Sequence, residues 1–168
     1  MFNIGDRVLY GGQGACTIIG IESMRFGKIR GKYYCLQPLG QQDSRYYVPV
    51  ENETAVSKLC PLMNKDELLA LLHSEDVRKN NWIADENLRK ARYRELLNGS
   101  DRAALLNMIY CLYQHKEAQR QAGKKFHQCD ETFLHDAQKL LHSEFSLVFE
   151  MDSGEVDSFI LEQLRVAG

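Results

Sequence analysis

The order in which hydrophobic periodicity changes along this chain constrains its fold more than any other feature. β patterning fills the first third, and helical patterning fills the remaining two. Residues 6–10 (DRVLY) are short and β-prone, and Gly11-Gly12-Gln13-Gly14 then breaks the chain with a glycine-rich turn. Residues 15–24 (ACTIIGIESM) are rich in β-branched side chains, residues 25–31 read as a polar hairpin connection, and residues 32–37 (KYYCLQ) read as the next strand. After a turn at residues 40–43, residues 45–50 (RYYVPV) close the set. Pro49 has no N–H to give to a ladder, so this strand is expected at a sheet edge or to end there. Four or five short strands within about fifty-five residues predict a small, strongly bent β-barrel of Tudor or SH3 type.

Helical signals come next. Asn64-Lys65-Asp66-Glu67 caps the run Leu68-Leu69-Ala70-Leu71-Leu72. Residues 85–97 carry Leu88, Ala91, Leu96 and Leu97 and stop at Asn98-Gly99. Ser100 or Asp101 opens a longer helix with Leu105, Met108, Ile109, Leu112 and Tyr113 at helical spacing, which ends near Ala122-Gly123. Asp130 is expected to cap the next, with Phe133, Leu134, Ala137, Leu140, Leu141 and Phe145 on one side. Asp152-x-x-Glu155 has the form of a capping box for the last, with Val156, Phe159, Ile160 and Leu164. Strands followed by helices, rather than alternating with them, imply an α+β chain of two modules. The expected division is a barrel over residues 1–55, a linker over 56–63 and a compact helical bundle over 64–168.

Charge is segregated too. The whole chain of 168 residues has a net charge of −2, yet residues 78–125 hold eleven Lys/Arg against five Asp/Glu, and residues 126–168 hold two against nine. A net of +6 beside a net of −7 suggests a basic face for a polyanion with an acidic end that keeps the chain soluble, although two solvated helix faces would give the same counts. No apolar run approaches the length of a membrane span, and Met1-Phe2-Asn3-Ile4-Gly5-Asp6 lacks a basic-then-apolar signal pattern, so a cytoplasmic protein without a membrane partner is expected. Cys16, Cys35, Cys60, Cys111 and Cys129 are odd in number and contain no C-x-x-C pair, which suits reduced thiols rather than a disulfide framework.

The usual catalytic signatures find no match. The Gly11–Gly14 turn is followed by neither Lys-Ser/Thr nor a helix, so it is not a phosphate loop. His127-x-Cys129 with His135 and His142 lacks a second Cys pair to complete a tetrahedral metal site, and no metal or other cofactor is expected. No nucleophile stands beside a base and no carboxylate pair stands out, so an enzyme is not expected.

Trp82, the single tryptophan, lies in a polar run between two helical patterns, and the basic stretch Arg89, Lys90, Arg92, Arg94 comes after it. Arg89 and Arg92, three apart, share a helix face, and Lys124 and Lys125 lie in the loop that ends the next helix. A flat apolar group with guanidinium groups on the next turns suits a wedge against stacked bases with phosphate clamps beside it. The other reading is an indole docked on the protein beside an ordinary charged helix surface, with contacts such as Arg92 to Glu95.

Taken together and in order, these segments resemble the CarD/CdnL family of bacterial transcription regulators. The likeness rests on the opening I-G-D-x-V-x-Y, the turn ending in Gly14, the I-x-x-I-E of Ile18 to Glu22, Tyr33-Tyr34-x-Leu36 and the V-P-x-x-N of Val48 to Asn52. It continues through Trp82 ahead of Asn87, Arg89 and Arg92, then Tyr93, Leu97, Gly99-Ser100-Asp101, Leu112-Tyr113, Gly123-x-Lys125 and Ser143-Glu144-x-x-Leu147. It departs at Gly11-Gly12-Gln13, where Pro-x-His is common, at Tyr47, where some members carry Arg or Met, and at residues 56–61, which lack a Gly-Leu-Arg pattern.

The resemblance implies a non-catalytic, monomeric regulator. Its Tudor-like module, a type shared with the transcription-repair coupling factor, is implied to bind the RNA polymerase β subunit by strand pairing. Arg45, Tyr46, Tyr47, Val48 and Pro49 would form that contact, with Arg25 nearby. The helical module is implied to touch promoter DNA, Trp82 wedging into the minor groove at the upstream fork of the bubble and Arg89, Lys90, Arg92, Lys124 and Lys125 on phosphates. An adaptor of the same two modules without DNA binding is the alternative.

Overall fold

The computed structural model describes residues 1–166, and the chain divides into two compact units, Met1–Leu62 and Met63–Gly168. In the first, β1 (Arg7–Tyr10), β2 (Gly14–Phe26), β3 (Ile29–Pro38), β4 (Tyr46–Pro49) and β5 (Leu59–Pro61) form one antiparallel sheet in the order β4-β3-β2-β1-β5. A four-residue helix, α1 (Glu53–Val56), is capped by the Asn52 side chain accepting from the Ala55 N–H and returns the chain to β5. Gly27, at φ 61°, takes the left-handed turn position that lets β2 and β3 meet as a two-residue hairpin.

The β2–β3 register shifts between Ile18 and Gly20, and this bulge leaves Ile19 exposed while Ile18 is fully buried. Val8, Cys16, Ile18, Tyr34, Leu36, Val48 and Leu59 make the core of this unit. Burial pushes the Cys16 thiol up to about 11, which fits an inert apolar filler.

Two expectations need correction here. The expected closed barrel is an open five-stranded sheet among the described residues, with β4 and β5 as its two edges. Nor is 56–63 a linker: Leu59, Cys60 and Pro61 pair with Tyr10, Leu9 and Val8. Burial of Leu59 against the sheet core, in a run too short to show alternation, makes this strand.

The second unit is helical: α2 (Lys65–Leu72), α3 (Glu86–Asn98), α4 (Arg102–Gln121), α5 (Gln128–Phe149) and α6 (Ser153–Val166). Asn64 and Glu67 form a full capping box at α2, Asp85 and Asp101 cap α3 and α4 through the N–H groups of Leu88 and Ala104, and Gly99 ends α3. The apolar stripes of all five meet in one core that includes Leu68, Leu72, Val77, Tyr93, Leu105, Ile109, Leu112, Phe133, Leu141, Phe145, Val156 and Ile160. Buried inside it, the Arg102 Nε donates to both Glu144 carboxylate oxygens at 2.8 Å, and the Met63 N–H donates to the same carboxylate at 3.2 Å. Asp130 does not cap α5, whose N-cap is His127; it sits inside the helix and is 1% exposed. Among the described residues, no helix is long and apolar enough to cross a membrane.

Candidate functional site

Two surfaces gather the residues singled out in the sequence. The first is the free edge of β4. The Val50 N–H donates to the Lys32 carbonyl at 2.9 Å, which fixes the alternation of the β3–β4 ladder. Counting back by twos, Val48 and Tyr46 bond to Tyr34 and Leu36, whereas Tyr47 and Pro49 oppose Cys35 and Tyr33 at non-bonded positions. The Tyr47 N–H and carbonyl therefore point away from β3, into the open edge. Pro49 falls on the same outward phase, where its missing N–H costs the sheet nothing, as expected of an edge strand.

Side chains on this strand divide likewise. Val48 is 1% exposed, Tyr46 packs on the core with its ring 6.0 Å from that of Tyr10, and the main-chain groups of both are bonded to β3, so neither offers an added strand a hydrogen bond. Tyr47 faces outward, 6.1 Å from the exposed Phe26 ring, which in turn lies 5.1 Å from Tyr33. The neighbouring Cys35 thiol, with burial second, holds the Tyr47 phenol above its ordinary pKa. Arg25 and Arg45 are both exposed, and each guanidinium folds onto a nearby turn: Arg25 Nε donates to the Gly27 carbonyl at 2.9 Å, and Arg45 donates to the carbonyls of Gln42 and Ser44 at 2.6 and 2.8 Å.

The second surface surrounds Trp82, in the loop between α2 and α3. Asn107 on α4 holds that loop from below. Its amide nitrogen lies 2.9 Å from the carbonyls of both Val77 and Lys79, and its oxygen accepts from Asn81 at 3.1 Å. The indole is half-buried against the helical core and stacks on His115, with centroids 3.9 Å apart and planes inclined by 12°. Burial lowers the His115 pKa, which favours the neutral ring. The Arg89 guanidinium lies over the indole, 4.6 Å from its centroid.

Arg89 itself overturns an expectation. It is 5% exposed, and its Nε and second terminal nitrogen reach the two Asp130 oxygens at 3.0 Å each. Its remaining nitrogen donates to the Ile83 and Ala84 carbonyls at 2.9 and 3.3 Å. Burial opposes the charge, but the Asp130 hydrogen bonds and charge outweigh it and raise the pKa. Four of its five N–H groups are engaged in this way and the side chain is buried, so Arg89 forms a structural ion pair rather than an exposed phosphate clamp. It shares the face of Arg92 in a helical projection, but that face turns inward at Arg89, where α3 meets α5.

The other cations are accessible. Lys90 pairs with Glu86 at 2.6 Å and Arg92 with Glu95 at 3.2 Å, both within α3, while Lys124 and Lys125 are exposed beyond α4. Phe126, next to Lys125, has its ring 6.2 Å from His115, which brings this loop close to the indole. Sequence reasoning missed Asn107 and His115, and gave Asp130 the role of a helix cap. Asn107 alone left a signal, as a polar residue between the apolar positions of α4.

Comparison with known proteins bears on the first surface. A family model described as the CarD-like/TRCF RID domain matches residues 2–60. The N-terminal unit is a CarD-like domain. The matched residues include all of β4, so the likeness bears on its open edge. The match ends inside β5, so it carries the strand that was read as linker and stops short of the helical unit. No curated protein matches the chain.

Proposed function

We propose that this chain is a transcription regulator that docks on the RNA polymerase β subunit through β4 and contacts promoter DNA at the upstream edge of the bubble, stabilising the open complex. The observation that carries the reading is the outward N–H and carbonyl of Tyr47, set on an open sheet edge of a CarD-like domain. A strand added there gains main-chain hydrogen bonds without disturbing β3, and the Phe26–Tyr33–Tyr47 face beside it can select side chains. Trp82, with Lys124 and Lys125 close by, is the DNA-facing feature. No reaction is required of any residue.

The test uses the full chain with purified polymerase. Tyr47→Pro deletes an N–H that β3 does not use, so the sheet stays folded while polymerase retention falls sharply. Retention equal to wild type would assign the contact elsewhere. A second reading, an adaptor that binds polymerase without DNA, is favoured by the docked state of Trp82 and by the loss of Arg89 from the basic face. Footprinting of the polymerase–promoter complex separates the two: added protection at the upstream fork supports the regulator, and an unchanged footprint supports the adaptor.

A further inference from the structure

Glu86, His127 and Cys129 meet where α3 and α5 begin, with one potential ligand atom from each lying within 4.8 Å of the others. We propose that these three side chains bind a zinc-class divalent ion. Sequence spacing supplies only His127-x-Cys129. The third donor comes from another helix, and His135 and His142 take no part: His135 is exposed, and His142 is engaged by Asp157 at 2.6 Å.

The local chemistry fits. A thiolate, an imidazole and a carboxylate form a donor set that zinc accepts, and three protein ligands leave a fourth position for water or another donor. Donor atoms on one tetrahedral zinc stand roughly 3.5 Å apart, so the observed separation closes by about 1 Å of side-chain rotation. Glu86 is the first residue of α3 and Cys129 the second of α5, so the backbones of two helix starts fix where these donors stand. The two negative donors offset the ion's charge. His127 adds an independent observation. It occupies a helix N-cap, where Ser, Thr, Asp or Asn would bond the backbone, yet its side chain makes no capping hydrogen bond.

One group competes. Lys90 grips Glu86 in an ion pair at 2.6 Å. Capture of the ion exchanges this partner and releases Lys90 to solvent. Removing Lys90 therefore strengthens binding, an effect that an incidental surface site elsewhere on the chain would not show.

Cobalt(II) titration of the full-length, tag-free, reduced protein tests the site, because a cobalt–thiolate bond gives a charge-transfer band that carboxylate or imidazole alone does not. One equivalent is expected to produce the band, and zinc to abolish it by displacement. Cys129→Ser removes the band, His127→Ala and Glu86→Gln each weaken binding at least about tenfold, and Lys90→Met tightens it. His127 and Glu86 lie near the surface, so their variants keep the fold if Cys129→Ser does not. Absence of the band at one equivalent, its survival in Cys129→Ser, or unchanged affinity in His127→Ala would each overturn the proposal. The outcome is independent of polymerase and DNA binding.

Discussion

Arg89 and Asp130 form a two-point ion pair, both distances 3.0 Å, between α3 and α5, and through the Ile83 and Ala84 carbonyls the same guanidinium fixes the chain just after Trp82. Position and burial of the indole are thus set by a charge pair that solvent barely reaches. Breaking such a pair from one side leaves the other charge buried and alone. Arg89→Met alone is expected to cost about 3–5 kcal/mol of unfolding free energy, and Arg89→Met with Asp130→Leu to cost less than either single change. Urea denaturation of the four proteins checks this. Additive losses in the double variant would mean that the two residues do not act as a pair.

Trp82 contributes to both stability and position. Half-buried and stacked on His115, it is expected to lose roughly 1–3 kcal/mol on truncation to Ala, below the about 3–5 kcal/mol of a fully buried aromatic. His115→Ala keeps the indole but removes its platform. If Trp82 acts as a wedge, Trp82→Ala shortens the lifetime of open promoter complexes much more than His115→Ala does at matched stability. Equal effects would assign the loss to the fold.

His115 also makes stability depend on pH. Its pKa is lowered in the fold by burial, so the unfolded chain binds the proton more readily. Its stabilising contribution is complete above the unfolded value near pH 6.5 and is lost as pH falls through the folded value. Thermal denaturation from pH 7.5 downward should therefore show a steeper decline in wild type than in His115→Gln once about pH 6.5 is passed. Parallel curves would show that the ring does not titrate differently in the two states.

How much of this was legible in the sequence depended on the range of the interaction involved. Asn64, Asp85, Asp101 and Gly99 act on groups within four residues of themselves, and the capped ends of α2, α3 and α4 lie where the sequence puts them. β5 has three residues and exists through pairing with β1, some fifty positions earlier, so no local pattern marks it. Asp130 has the composition of a cap, but Arg89, 41 residues away, claims it, and with it goes the placement of Arg89 on a basic outer face. At β4 the missing N–H of Pro49 correctly places the strand at an edge. The inward phase of Val48, by contrast, is set by the ladder register, which only pairing with β3 fixes.

The salt dependence of DNA binding measures how much of the basic segment faces phosphate. With Arg89 removed from the set, Lys90, Arg92, Lys124 and Lys125 remain from the expected contacts. Lys90 and Arg92 are held by partly exposed ion pairs within α3, each worth no more than about 1 kcal/mol, so exchange onto phosphate is inexpensive. Each phosphate contact contributes about 0.9 to the slope of log affinity against log salt, which bounds the slope near 3.6 for four. Lys124→Ala with Lys125→Ala should then lower it by about 1.8 while leaving the fold intact, since both side chains are exposed in the loop beyond α4. Fluorescence anisotropy on a forked duplex across a salt series, with and without polymerase, reads both numbers. A slope that the double substitution does not change would place the phosphate contacts elsewhere, and binding that ignores salt would remove the basic segment from the interface altogether.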